Sequence, residues 1–242
     1  MQSEPNRFSI GGVIGASFST FFGRFVHFVP LALLCYVPVF LFMLFGDEFR
    51  SSTFGSTFES ILGTVCSSVF AAIATYEIVM LASGRPVTLG QTISAISPRL
   101  GAVFLTSFIY SLIVGFGTAF FIIPGLYFMT ILFVVIPAVV VEGRGMRSAF
   151  SRSLDLTSGY RWPIFGLSII LTLAAIFVAF GLILGAEAAW PGASENDGIM
   201  VGITAIVVMV GVLSAIATAH TFVRLRVAKE GASLEELADV FS

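Results

Sequence analysis

Long apolar blocks, rather than short periodic ones, set the pattern of this chain. They recur at Val26–Phe45, Ile61–Ala82, Ala102–Ile122, Leu126–Val141, Pro163–Ala186 and Ile199–Phe222. Most approach the roughly 20 residues that a helix needs to cross a hydrocarbon core about 30 Å thick. In a bilayer every backbone polar group must be satisfied within the segment, so such blocks read as helices. The expectation is an all-α, polytopic membrane bundle of six transmembrane helices, forming a single integral membrane domain over residues 1–242. From Gly101 to Val141 no charge occurs, and only the Pro124-Gly125 dipeptide punctuates the stretch. Two spans joined by a tight turn are expected there, the second of them short; a re-entrant hairpin is the alternative.

Shorter segments between the blocks carry helical periodicity instead. Ile14, Phe18, Phe21, Phe22 and Phe25 form one stripe, with Leu89, Ile93, Ile96 and Leu100 a second and Met146, Phe150 and Leu154 a third. The second is opened by a Thr88-to-Gln91 capping box. Each leads directly into a pair of spans, and amphipathic helices at such places lie in the headgroup plane. The chain therefore reads as three hairpins, each preceded by an interfacial amphipathic helix. A last amphipathic piece, at about 232–242, places Leu234, Leu237, Ala238 and Phe241 on one stripe after a Ser233-to-Glu236 capping box. It is suited to docking a neighbouring subunit or a cytoplasmic protein partner.

Composition supports this picture. Hydrophobic residues make up 57% of the chain and charged residues 11%, whereas about a quarter of a soluble chain is charged. The net charge of −2 acquires meaning only when divided by side. With six spans, Arg7, Arg24, Arg85, Arg99, Arg144, Arg147, Arg152, Arg161, Arg224, Arg226 and Lys229 share one side, and Arg50 stands alone on the other. The positive-inside bias then sets both termini in the cytoplasm. The mixed N-terminal segment has no cleaved-signal pattern.

Candidate chemistry is sparse. Glu77 is the ionisable residue well inside a span, about 12 Å from its cytoplasmic end at 1.5 Å per residue. An intramembrane carboxylate is a site hypothesis by default, read here as a proton or cation relay or a polar contact in a cavity. The plainer alternative is a hydrogen bond to a neighbouring hydroxyl, or a reach toward Arg85 or Arg99. His27 and His220 lie near cytoplasmic helix ends without a carboxylate or thiol close in sequence, so interfacial hydrogen bonding is expected of them and no metal. Cys35 and Cys66 sit inside spans as small hydrophobes. Arg85, Arg99, Arg144, Arg147, Arg152 and Arg161, with Tyr160 and Trp162 at the aromatic-belt level, form a candidate lipid-headgroup layer. Pro124, Gly125 and Pro137 are candidate turn or hinge positions, with Pro137 kinking a short span; Pro30 and Pro38 also interrupt apolar sequence. No HExxH, GxSxG, Walker loop or CxxC occurs, so neither enzymatic activity nor a cofactor is expected, and nothing points to nucleic acid.

The run Pro124-Gly125-Leu126-Tyr127, then Pro137-Ala138, Glu142-Gly143, Ala149, Ser153, Gly159 and Trp162, and later Leu225-Arg226, Lys229-Glu230-Gly231 and Leu237, carries a resemblance. It resembles uncharacterised six-span bacterial membrane proteins related to the membrane domain of glycerophosphodiester phosphodiesterases. The resemblance implies fold, topology and a bacterial inner-membrane location. The phosphodiesterase chemistry of the fused relatives lies in a separate soluble domain. The expected function is non-enzymatic: organising, remodelling or sensing the bilayer through membrane lipids, as a homo-oligomer. Small residues along the last block (Gly202, Ala205, Gly211, Ser214, Thr218) suit close helix contact. A small transporter or channel, or an accessory subunit, is the alternative.

Overall fold

The computed structural model describes residues 9–46, 49, 52–85, 87–143 and 145–231. Among them the fold is helical throughout: α1 (Ile10–Gly23), α2 (Phe25–Phe45), α3 (Thr53–Ala82), α4 (Leu89–Ile96), α5 (Leu100–Phe120), α6 (Ile122–Ile131), α7 (Val135–Glu142), α8 (Met146–Thr157), α9 (Arg161–Ala189) and α10 (Asp197–Glu230). Among the described residues six segments are long and apolar enough to cross a membrane: Phe25–Phe45, Phe54–Ala82, Leu89–Thr118, Ile122–Glu142, Arg161–Ala189 and Asp197–Glu230.

Local chemistry explains the boundaries. α3 starts at Thr53 rather than Ile61 because the Ser52 hydroxyl accepts from Gly55 N at 3.0 Å and caps it. α7 and α10 each stop at a glycine in the left-handed region, Gly143 (φ 60°) and Gly231 (φ 61°). α2 stays one helix although Pro30 and Pro38 lie inside it. The expected Thr88–Gln91 capping box is present, with Thr88 N donating to Gln91 Oε1 at 2.9 Å.

Two expectations change. The turn between the third and fourth spans is at Phe121, which is extended (φ −153°, ψ 128°). Pro124 and Gly125 instead fall in the first turn of α6, where a missing proline N–H costs no helical bond. Gly125 is needed for another reason: a Cβ there would lie 2.1 Å from Thr118 Oγ1 and 2.7 Å from Thr118 backbone, so only glycine lets α6 press on α5. Pro137 does not kink a continuous helix either. The span breaks earlier, at Leu132–Val134, and restarts as α7 with Pro137 in its first turn, because proline cannot bond back to Phe133 and its ring crowds that carbonyl. At 1.5 Å per residue the 10 residues of α6 and the 8 of α7 measure about 15 and 12 Å, so neither alone spans a bilayer core.

The three amphipathic segments form α1, α4 and α8. α4 runs into α5 through one 3₁₀ turn, Ser97–Arg99, containing Pro98, and is not detached from its span. In all three segments the side turned inward carries a hydroxyl among its residues: Val13, Ser17 and Phe21 in α1, Thr92 and Ile96 in α4, Ala149, Ser153, Leu156 and Thr157 in α8. The large stripe residues Phe18, Phe22, Ile93 and Leu154 are exposed.

The bundle is built around α10, which packs on α1, α2, α3 and α9, and around α7, which is enclosed by α3, α5 and α8. Val135 and Pro137–Val141 of α7 are all buried; a helix apolar all round belongs at the centre. With Phe28, Phe70, Ile78, Ile216 and Phe222 they form the main core. Arg224 donates to Gly12 O at 2.9 Å, and His220 is hydrogen-bonded to Thr20 at 3.0 Å, which fastens α1 to α10.

Candidate functional site

Two polar constellations stand out from this apolar bundle. The first is built on Glu77, near the end of α3, which is 4% exposed. His27, three residues into α2, places Nε2 at 3.0 Å from Oε1 and 3.1 Å from Oε2, so one N–H donates to both carboxylate oxygens. The Thr92 hydroxyl of α4 donates to Oε1 at 3.5 Å. Three helices thus converge on one carboxylate, and its negative charge is matched by a base whose side chain is 39% exposed. The arrangement sets an imidazole N–H against a shielded carboxylate.

The sequence singles out Glu77 but leaves His27 without a carboxylate. A partial signal was available: with the first two apolar blocks antiparallel, His27 near the start of one and Glu77 about a turn and a half from the end of the next fall on the same half of the bundle. Arg99 is turned elsewhere, donating to Val140 O at 2.8 Å and lying over Gly143. Arg85 is exposed.

The second constellation lies where α6 meets the start of α9. Arg161 Nη1 donates to the Tyr127 hydroxyl at 3.2 Å, and the guanidinium carbon stands 5.8 Å from that ring's centroid. Beside them is a cavity of about 340 Å³ lined by Ile123, Leu126, Tyr127, Thr130, Arg161, Trp162 and Phe165. Trp162 is 83% exposed and meets Phe165 edge-on at 6.0 Å. Tyr160 caps α9 just before them. Arg161 and Trp162 come from the sequence-based headgroup layer; Tyr127 and Thr130 were hidden in an uncharged block.

The remaining basic candidates divide. Arg152 pairs with Glu142 and Glu230, while Arg226 Nε lies 2.8 Å from Glu230 and Nη1 3.6 Å from Glu142. Burial lowers the Arg152 pKa, but the hydrogen bonds and charges of the two carboxylates outweigh that and hold it above the usual arginine value. Lys229 reaches Asp155 O and Ser158. This network ties α8 to the ends of α7 and α10, so Arg152 is a structural tie with little freedom for headgroups. Arg147 is exposed. Arg144, Leu234, Leu237 and Phe241 lie outside the described residues. Among the described residues no group of three or more His, Cys, Asp or Glu side chains is placed to hold a metal.

The break in the fourth span is also chemically sealed. Ser153 and Thr157 of α8 donate to Ile131 O at 2.9 and 3.3 Å, so the carbonyl exposed where α6 ends is satisfied from outside its own helix. No curated protein and no solved structure matches the chain. Residues 67–225, which contain Glu77, Thr92, Tyr127, the broken span and Arg161, match one family over more than half of the chain: the protein belongs to the family described as a domain of unknown function, DUF7847.

Proposed function

We propose that this protein is a non-enzymatic, multi-pass membrane protein that organises or senses the lipid bilayer, working as a homo-oligomer. In this reading six spans form three hairpins with both termini on the cytoplasmic side, in a bacterial inner membrane, as the basic-residue asymmetry and the resemblance imply. The observation that carries it is the Arg161–Tyr127 cavity, an apolar hollow with a cation at its edge opening on a surface rich in exposed Phe, Ile and Trp. Further support comes from exposed large side chains along the spans, among them Phe116, Phe120, Phe177 and Phe180. A methyl group added at Gly202 or at Gly211, which lie on opposite sides of α10, would meet nothing within 4 Å, so each position leaves room for close approach by another helix.

The test is purification from native-like bilayers with measurement of retained phospholipid and of self-association. Retained lipid and an oligomer are expected; a monomer that holds no lipid and leaves vesicle shape unchanged sinks the proposal. The His27–Glu77 pair favours a second reading, a proton-linked transporter. Proton flux in proteoliposomes that disappears in Glu77→Gln would support it, and flux equal to empty vesicles would remove it.

A further inference from the structure

The cavity between α6 and α9 permits a more specific assignment, which rests on the lipid reading above. Its long wall is one face of α6, where Ile123, Leu126, Tyr127 and Thr130 stand at helical spacing, and Trp162 and Phe165 close it from α9. The Thr130 hydroxyl is taken up by Leu126 O at 2.8 Å. The wall therefore offers hydrocarbon, and polarity is confined to Arg161 and the Tyr127 hydroxyl. The volume, about 340 Å³, is at the small end of the roughly 300–1,000 Å³ typical of small-molecule sites.

What distinguishes Arg161 is the partner the chain provides. Arg152 and Arg226 meet the carboxylates of Glu142 and Glu230. Among the described residues Arg161 meets no carboxylate, only a neutral phenol and its ring face. A guanidinium is a planar fork suited to phosphate. A fork that meets no carboxylate among the described residues, at the edge of an apolar slot beside exposed Ile123 and Trp162, is complementary to an anion that carries its own hydrocarbon. We infer that this cavity is a specific site for one anionic glycerophospholipid, with its phosphate on Arg161 and Tyr127 and an acyl chain along the α6 face beneath Trp162.

The chain has two tryptophans, Trp162 and Trp190, so Trp190→Phe leaves Trp162 as the sole tryptophan fluorophore. The full chain is placed in nanodiscs of phosphatidylcholine and phosphatidylglycerol, with bromine on the acyl chains of one lipid or the other, and Trp162 quenching is followed against mole fraction. Brominated phosphatidylglycerol should reach half-maximal quenching at about fivefold lower mole fraction than brominated phosphatidylcholine, the gain expected for one arginine near an anionic surface. Arg161→Gln should erase that preference, Arg161→Lys should keep part of it, and Arg24→Gln should leave it intact. Equal quenching by both lipids, or a preference that survives in Arg161→Gln, overturns the assignment. So does displacement by soluble glycerol phosphate, which marks a phosphate site without a chain requirement. If Arg161→Gln fails to fold, the two-lipid comparison and Arg161→Lys still decide. Bulk lipid retention and self-association, read on the same samples, separate failure of this site from failure of the broader reading.

Discussion

Glu77 and Arg161 are both charged residues of an apolar bundle, and the fold treats them in opposite ways. Glu77 is enclosed and receives His27 and Thr92 from two other helices. Arg161 is left at the surface with a phenol, above a hollow. A carboxylate removed from solvent is tolerated only when paired and hydrogen-bonded, so the first site is closed by the chain itself. An exposed arginine carries no such requirement, so the second is free to take its partner from outside. The contrast separates a charge that holds the fold together from one available to a ligand.

The largest test is on the closed site. Glu77→Ala strands His27 and Thr92 and leaves a void, at an expected cost of roughly 2–4 kcal/mol in reversible unfolding in a bilayer mimic. Glu77→Gln, which keeps the shape and one acceptor, should recover about half. Pairing Glu77→Ala with His27→Ala should show a coupling of about 1–2 kcal/mol. Additive effects would mean that the pair is not a unit.

The sealed break in the fourth span should follow the same rule. Replacing Ser153 and Thr157 together by Ala leaves Ile131 O unsatisfied in the core, and a loss of about 1–3 kcal/mol is expected. A neutral result in the same unfolding measurement would show that water, not α8, satisfies that carbonyl. The wall of the open site can be pushed instead of unpaired. Gly125→Ala sets a methyl against Thr118, which should cost about 1–2 kcal/mol and shift α6, weakening lipid preference at the cavity as well. Thr118→Ala should relieve it only in part, because backbone atoms of Thr118 also lie within 2.7 Å. The smallest effect belongs to Arg161→Gln, expected within about 0.5 kcal/mol of the parent in stability. A large loss there would mean that Arg161 is a structural tie like Arg152, and the contrast would collapse.

Parts of both sites were legible in the chain. Glu77 is visible as a carboxylate in an apolar block, and Arg161 and Trp162 as interfacial residue types. Thr92 is less so, because it stands off the stripe of Leu89, Ile93, Ile96 and Leu100, of which Ile96 alone is buried with it. Ser17 and Ser153 likewise stand between stripe residues and are buried. Periodicity locates an amphipathic helix but does not say which of its faces meets the rest of the chain. Pro124-Gly125 marks a special place correctly and its mechanism wrongly, since the glycine serves contact with Thr118 and the turn falls at Phe121.

By itself the sequence determines that the chain is helical with six segments able to cross a membrane, because length and apolar content are local properties and backbone groups in lipid must be satisfied within a segment. It also marks, through Pro137, a place near which the fourth apolar block must yield. Only the tertiary structure decides which side chains meet. His27 and Glu77 are 50 residues apart, and Tyr127 and Arg161 are 34 apart. No local rule joins such pairs, because each depends on how helices from different parts of the chain cross and on which faces they spend on one another.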